Sequence, residues 1–167
     1  MTTSTKPPKF AFYLATFLGS GLSPYAPGTV GSLAALPLAY GLLFTSTSAA
    51  LLAVVVLFFV GVLASNAVEE ALDSHDAGLI VIDEVVGQCL VIVLLDLCLR
   101  GMIDVIPLLA MGFLGFRFFD IVKPWPVSWA DKRVQGGLGV MLDDVVAALI
   151  AVPVLVGGYF LFTLLAV

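Results

Sequence analysis

The sequence predicts an all-α fold, a small polytopic membrane helix bundle of about five membrane segments. Two observations carry this. Of 167 residues, 61% are hydrophobic and only 11% charged, less than half the charged share of an ordinary soluble domain. Mean hydropathy is +1.16, and the apolar residues fall in long runs parted by short polar segments. The length suits one domain, residues 1–167, with 1–9 as a short polar tail. The formal charge is -5, and the basic residues are few and form one short cluster. That does not indicate a nucleic-acid binder, and no nucleic-acid partner is expected.

Lys6 and Lys9 precede the first apolar patch in the manner of a signal peptide, but Pro7 and Pro8 interrupt it. A cytosolic tail entering a membrane-associated helix is expected. The patch at 10–18 is too short to span a hydrocarbon core. `GSGLSPYAPGTVGS` then concentrates glycine, proline and hydroxyls, so it reads as an ordered loop leading into a helix. Residues 30–44 form a short segment that Pro37 can bend, 45–48 a turn, and 49–64 a second segment. These two have the length for a tight hairpin, or for a re-entrant pair. Residues 65–78 are polar and acidic, and the lone His75 there reads as a surface or loop residue. Residues 79–99 form the third span and 105–119 the fourth. Residues 120–139 read as an aromatic-rich loop. The last span, 140–165, can bend around Pro153 and Gly157-Gly158, although helix packing is the expected role of the two glycines. Cys89 and Cys98 match neither a disulfide framework nor a compact zinc signature, and read as packing residues.

Five crossings gather Lys6, Lys9, Lys123, Lys132 and Arg133 on the cytosolic side and leave Arg100 opposite. The same arrangement brings the loop 20–32, Asp83-Glu84, Asp120–Arg133 and Asp143-Asp144 to one face. Acids at membrane depth are costly unless they meet a polar cavity, a partner or a metal. Asp83, Glu84, Asp143, Asp144 and Asp120 are therefore the candidate catalytic and metal-binding residues. Small Gly87 and Ala147 follow the two acidic pairs within one turn and permit close helix packing behind them. Oxygen ligands favour Mg2+, although carboxylates alone leave calcium and manganese open. Arg117, Lys123, Lys132 and Arg133 are candidate phosphate ligands, with Thr29 and Ser32 from the N-terminal loop. The bland alternatives are helix caps, interfacial ion pairs and ordinary positive-inside charges. `PGTVGS` lacks the P-loop lysine.

With these motifs the chain resembles the phosphatidylglycerophosphatase A family. The resemblance runs from `FLGSGLSPYAPGTVGSLAALPL` through `IDEVVGQ` to `FRFFDIVKPWPVSWADKRVQGGLGVMLDDVVAAL`. It falls on Ser23, Pro24, Pro27, Gly28, Thr29 and Ser32; on Asp83, Glu84 and Gly87; and on Arg117, Asp120, Lys123, Pro124 and Pro126. Its final motif falls on Asp131, Arg133, Gly136, Gly137, Asp143 and Asp144. `HDAG` at 75–78 departs from the usual Asp-Pro-Gly turn. The resemblance implies magnesium-dependent hydrolysis of the terminal phosphate of phosphatidylglycerophosphate, giving phosphatidylglycerol and inorganic phosphate. It also implies a multi-pass enzyme of the bacterial inner membrane with a cytosolic site, whose partners are that substrate and membrane lipids. The expected nucleophile is a metal-activated water, with an aspartyl-phosphate route as the competitor. A small ion transporter or channel, or a head-group phosphotransferase, is the alternative function.

Overall fold

The computed structural model describes residues 6–74 and 77–166, and among them there is helix, turn and loop but no strand. The expectation for His75 lies outside the described residues. The helices are α1 Lys9–Ala15, α2 Pro27–Leu42, α3 Thr47–Leu72, α4 Ile82–Leu99, α5 Val105–Val122, α6 Val127–Arg133 and α7 Gly136–Leu165, with a 3-10 turn at Ser20–Leu22 between α1 and α2. Three of them, α3, α5 and α7, are long and apolar enough to cross a membrane. Large apolar side chains such as Leu52, Phe59 and Leu63 on α3 and Phe162 on α7 lie exposed on the outside of the bundle. A soluble protein would bury such a surface, whereas lipid solvates it.

Helix α4 is the centre. Its residues from Val85 to Cys89 are buried without a break, and α2, α3, α5 and α7 all pack on it. A helix that is apolar all round belongs in such a position. Close approach comes from small residues, since lipid offers no hydrophobic drive between helices and packing must supply the attraction. A Cβ on Gly87 would lie 2.5 Å from the Phe116 ring of α5 and 3.2 Å from the Asp144 carbonyl of α7. Ala147 is fully buried on α7.

Five expectations are corrected. The first membrane segment starts at Pro27 rather than 30, because proline is well placed at a helix's first position; part of the expected loop is thus the first turn of α2. The helix runs on through Pro37. The second segment does not stop at 64. Ser46 caps α3 by accepting a hydrogen bond from the Ala49 amide (3.3 Å), and the helix continues through the polar residues to Leu72. Nor do α2 and α3 form a tight hairpin: α2 packs chiefly on α4, and α3 on α7, α4 and α1. The expected loop 120–139 contains α6 and the first turn of α7. Finally, Cβ atoms on Gly157 and Gly158 would meet open space, so these glycines do not serve packing within the described chain. Cys89 is buried and Cys98 exposed, and neither forms a disulfide.

Candidate active site

Five long helices place one end each around a single cavity of about 650 Å³. The start of α2 contributes Gly28 and Thr29, the end of α3 Glu69, and the start of α4 Asp83 and Glu84. The end of α5 supplies Arg117, Asp120 and the following Lys123. The start of α7 supplies Asp143 and Asp144, and α6 adds Asp131. Residues from the separated stretches at 20–32, 83–84, 117–133 and 143–144 thus meet at one end of the bundle.

Asp83, Glu84 and Asp144 form the tightest acidic group. One oxygen from each lies within 4.8 Å of the others. Asp83 Oδ1, Glu84 Oε2 and Asp144 Oδ2 are buried without a hydrogen-bond partner. Clustered carboxylates with orphaned oxygens repel one another and are costly to bury. Three hard oxygen donors with free lone pairs fit a divalent cation, which would remove both penalties.

The other two acids are held by cations. Asp120 forms an ion pair with Arg117, whose Nη1 also stands 3.7 Å from Glu84 Oε1. Asp143 Oδ2 accepts a hydrogen bond from Lys123 Nζ at 2.7 Å, and Lys123 also pairs with Asp131. Partial burial of Lys123 works against its charge, but the hydrogen bonds and charges of Asp131 and Asp143 outweigh it and push the ammonium above its ordinary pKa. Lys123 is therefore cationic at any working pH. Its backbone is left-handed at φ 45 and ψ 55, a conformation that normally favours glycine. Strain of this kind tends to persist where a particular side chain is required.

Gly28 has a different reason for its identity. A Cβ there would lie 2.0 Å from Glu84 Oε1 and 3.2 Å from Arg117 Nη2. The first turn of α2 consequently approaches these two side chains by its backbone. Ala26 before it is left-handed and offers no side-chain cap. The early N–H groups of a helix have no internal partners, and here that end borders the cavity.

The remaining predicted residues lie elsewhere. Ser32 is fully buried, one turn deeper in α2. Its hydroxyl donates to the Gly28 carbonyl at 2.9 Å and accepts from Arg117 Nη1 at 3.5 Å. It supports the wall and does not line the cavity. Lys132 and Arg133 are exposed on α6 and also lie outside the lining. Sequence reasoning missed Glu69, which is 7% exposed, because the polar stretch after 64 reads as a connection. The signal is present: Gly61, Ala64 and Val68 are buried at helical spacing and carry the α3 face into `AVEEAL`. Asp131 stands out in the sequence only as part of a motif, and its contact with Lys123 depends on the turn between α5 and α6.

Seven carboxylates and two cations line the cavity, a formal charge of -5. So acidic a lining favours a cation over an anion. The class defined is a membrane-embedded helical bundle with a carboxylate cluster at one end that could hold a divalent cation. The chain belongs to the phosphatidylglycerophosphatase A family, which matches residues 13–159. It is similar to a phosphatidylglycerophosphatase A of Escherichia coli (strain K12), 39% identical over 85% of this chain and 79% of that protein. A phosphatidylglycerophosphatase A of Haemophilus influenzae (strain ATCC 51907 / DSM 11121 / KW20 / Rd) is 37% identical over 84% of this chain and 83% of its own length. A third relative, from Bacteroides thetaiotaomicron, is 40% identical over 80% of this chain and 84% of its own, and is provisionally named a phosphatidylinositol-3-phosphatase. No solved structure matches the chain.

Proposed function

We infer that this chain is a phosphatidylglycerophosphate phosphatase of the bacterial inner membrane, a single domain that releases inorganic phosphate and leaves phosphatidylglycerol. The observation that carries the reading is the pairing, in one cavity, of three orphaned carboxylates with two cations. Family membership supports the substrate.

Asp83, Glu84 and Asp144 are the residues that would hold the cation, with Mg2+ the natural choice for hard oxygen donors and a phosphate substrate. When bound, it supplies positive charge against the phosphate oxygens and lowers the pKa of water. Lys123 and Arg117 hold non-bridging oxygens as charge moves onto them in the transition state. The Gly28 and Thr29 amides at the start of α2 add donors along the same wall. Asp143 and Asp120 keep the two cations in place through their ion pairs. Water attacks phosphorus, the P–O bond to glycerol breaks, and one proton of that water passes to the leaving oxygen while the other stays on the released phosphate. Attack by a carboxylate is the competing route; it forms an aspartyl phosphate and releases the lipid alcohol, and acid quenching during turnover of substrate with a labelled terminal phosphate would leave that label on the denatured protein. Lys132 and Arg133, outside the cavity, are proposed to meet lipid head groups instead.

For topology we propose five crossings, by α2, α3, α4, α5 and α7, with α1 at the interface and the site facing the cytosol. At 18 residues α4 extends about 27 Å and at 16 residues α2 about 24 Å, close to a hydrocarbon core of about 30 Å. Exposed Tyr25, Trp125 and Trp129 at the site end suit an interfacial belt. In a background without Cys89 and Cys98, Ser128→Cys should label with an impermeant thiol reagent only after permeabilisation. A cysteine added at the C-terminus should label from outside in intact cells. External labelling at 128 overturns the cytosolic site; a terminus reached only from inside makes the first pair re-entrant.

The deciding experiment is phosphate release by purified protein in lipid or detergent. Phosphatidylglycerophosphate should be hydrolysed, chelation should stop the reaction, and Mg2+ should restore it. Phosphatidylinositol 3-phosphate is the comparison substrate. No release from folded protein across metals and lipids would sink the assignment, and a preference for the inositol lipid would redirect it.

A further inference from the structure

Helix α7 carries two of the site's acids but lacks a local cap. Its N-cap residue, Gln135, is extended and makes no side-chain capping bond. A helix start leaves several N–H groups without internal partners. Here one of them is met from another helix: the Gly137 amide donates to Asn66 Oδ1 on α3 at 2.7 Å, across 71 residues of sequence.

The contact is tight in backbone as well. A Cβ on Gly137 would lie 2.5 Å from the Val62 carbonyl and 2.9 Å from the Asn66 amide nitrogen. Gly136, left-handed at φ 70, turns the chain into the helix, with Asn66 Oδ1 3.2 Å from its Cβ position. So the start of α7 rests on one turn of the α3 backbone and is clasped there by one amide. A second contact lies one turn further on, where Met141 of α7 packs on Gly61 of α3.

A helix is stiff, so its start sets the position of every later residue. Asp144 lies roughly 10 Å along the axis from Gly137. A slip of one residue there would shift it by about 1.5 Å and turn it by about 100°, which would carry Asp144 away from Asp83 and Glu84. We propose that Asn66 is a positioning residue: by capping α7 from α3, it sets the register that brings Asp144 to the Asp83–Glu84 pair and Asp143 to Lys123. It touches neither substrate nor cation. The role rests on the cation-site reading above.

The test reads cation binding apart from hydrolysis. Mn2+ alone is titrated into purified protein, and free Mn2+ is followed by electron paramagnetic resonance. Thermal melting in chelator reports the fold. Asn66→Leu keeps similar size but cannot accept the bond, and should bind Mn2+ about tenfold more weakly, the scale seen when supporting partners of metal ligands are lost. Its kcat should fall with KM for lipid little changed. Asn66→Asp keeps the acceptor and suits a helix N-terminus, so it should bind Mn2+ within about threefold of the parent, a difference near 0.65 kcal/mol. A folded Asn66→Leu with parental Mn2+ affinity overturns the proposal, and so does an equal loss in Asn66→Asp. Should the leucine variant not fold, Asn66→Ala carries the same two outcomes without added bulk. If the parent binds Mn2+ but hydrolyses no lipid, the enzymatic reading fails while the positioning role stands.

Discussion

The two ends of the bundle use the same kinds of residue for opposite purposes. At the end away from the cavity, Asp96 pairs with Arg100 one helical turn on, at 2.6 Å, and the arginine also reaches Thr47 at the start of α3. That arginine side chain is 60% exposed. Such a pair is solvated, local and worth at most about 1 kcal/mol. At the cavity end the acids come from different helices, and three of their oxygens are buried without partners. Burying such oxygens without partners is costly, and a bound cation would offset that cost. Ordinary solvated charge needs no tertiary structure; the site requires five helix ends.

The largest expected effect breaks the cation group. Asp83→Asn or Asp144→Asn should lower turnover by about 10³-fold, the upper range for one electrostatic contact to a transition state. Each should also raise the melting temperature in chelator, because a buried repelling charge is gone. A folded double variant with near-normal turnover would disprove the metal role. Next comes Gly28→Ala, whose added methyl must displace the Glu84 carboxylate. Misplacing a reacting group by about 1 Å costs about 10²-fold, so a comparable drop in kcat is expected. Parental kcat there would show that the first turn of α2 does not hold Glu84.

Lys123 separates side chain from backbone. Lys123→Ala and Lys123→Gly should each weaken phosphate handling about tenfold, as for loss of a hydrogen bond to a charged group. The glycine variant should be the more stable by about 1 kcal/mol, because the left-handed backbone suits it. Urea denaturation of the two checks this, and equal stability would remove the strain argument. The smallest effect is the control at the other end. Asp96→Asn should leave turnover within about twofold, as an exposed pair allows. A large catalytic loss there, with the fold intact, would favour an acidic network across the membrane.

Much of this site is legible in the sequence because membrane depth makes charge conspicuous. Asp83, Glu84, Asp120, Asp143, Asp144, Arg117, Lys123 and Thr29 all stand out there, and all line the cavity. Their division into roles is hidden. Nothing in `DDVV` says that Asp143 faces Lys123 while Asp144 faces Asp83 and Glu84. Adjacent residues on a helix point about 100° apart, and only the packing of α7 on α4 and α3 sets which way each turns. Ser32, Lys132 and Arg133 look alike in sequence to the residues that line the cavity, and the fold puts them elsewhere.

The sequence by itself determined the helical class, the apolar outer surface and the clustering of charge at segment ends, because each stems from local composition and the cost of charge in lipid. It could not determine that α4 is the centre, that α2 and α3 part company, or that α3 runs on to bring Glu69 to the cavity. Those depend on which small residues meet which neighbours: Gly28 against Glu84, Gly87 against Phe116 and Asp144, Gly137 against Val62 and Asn66. Absent side chains leave no periodic signal of their own, and only the tertiary structure shows what fills the space they leave.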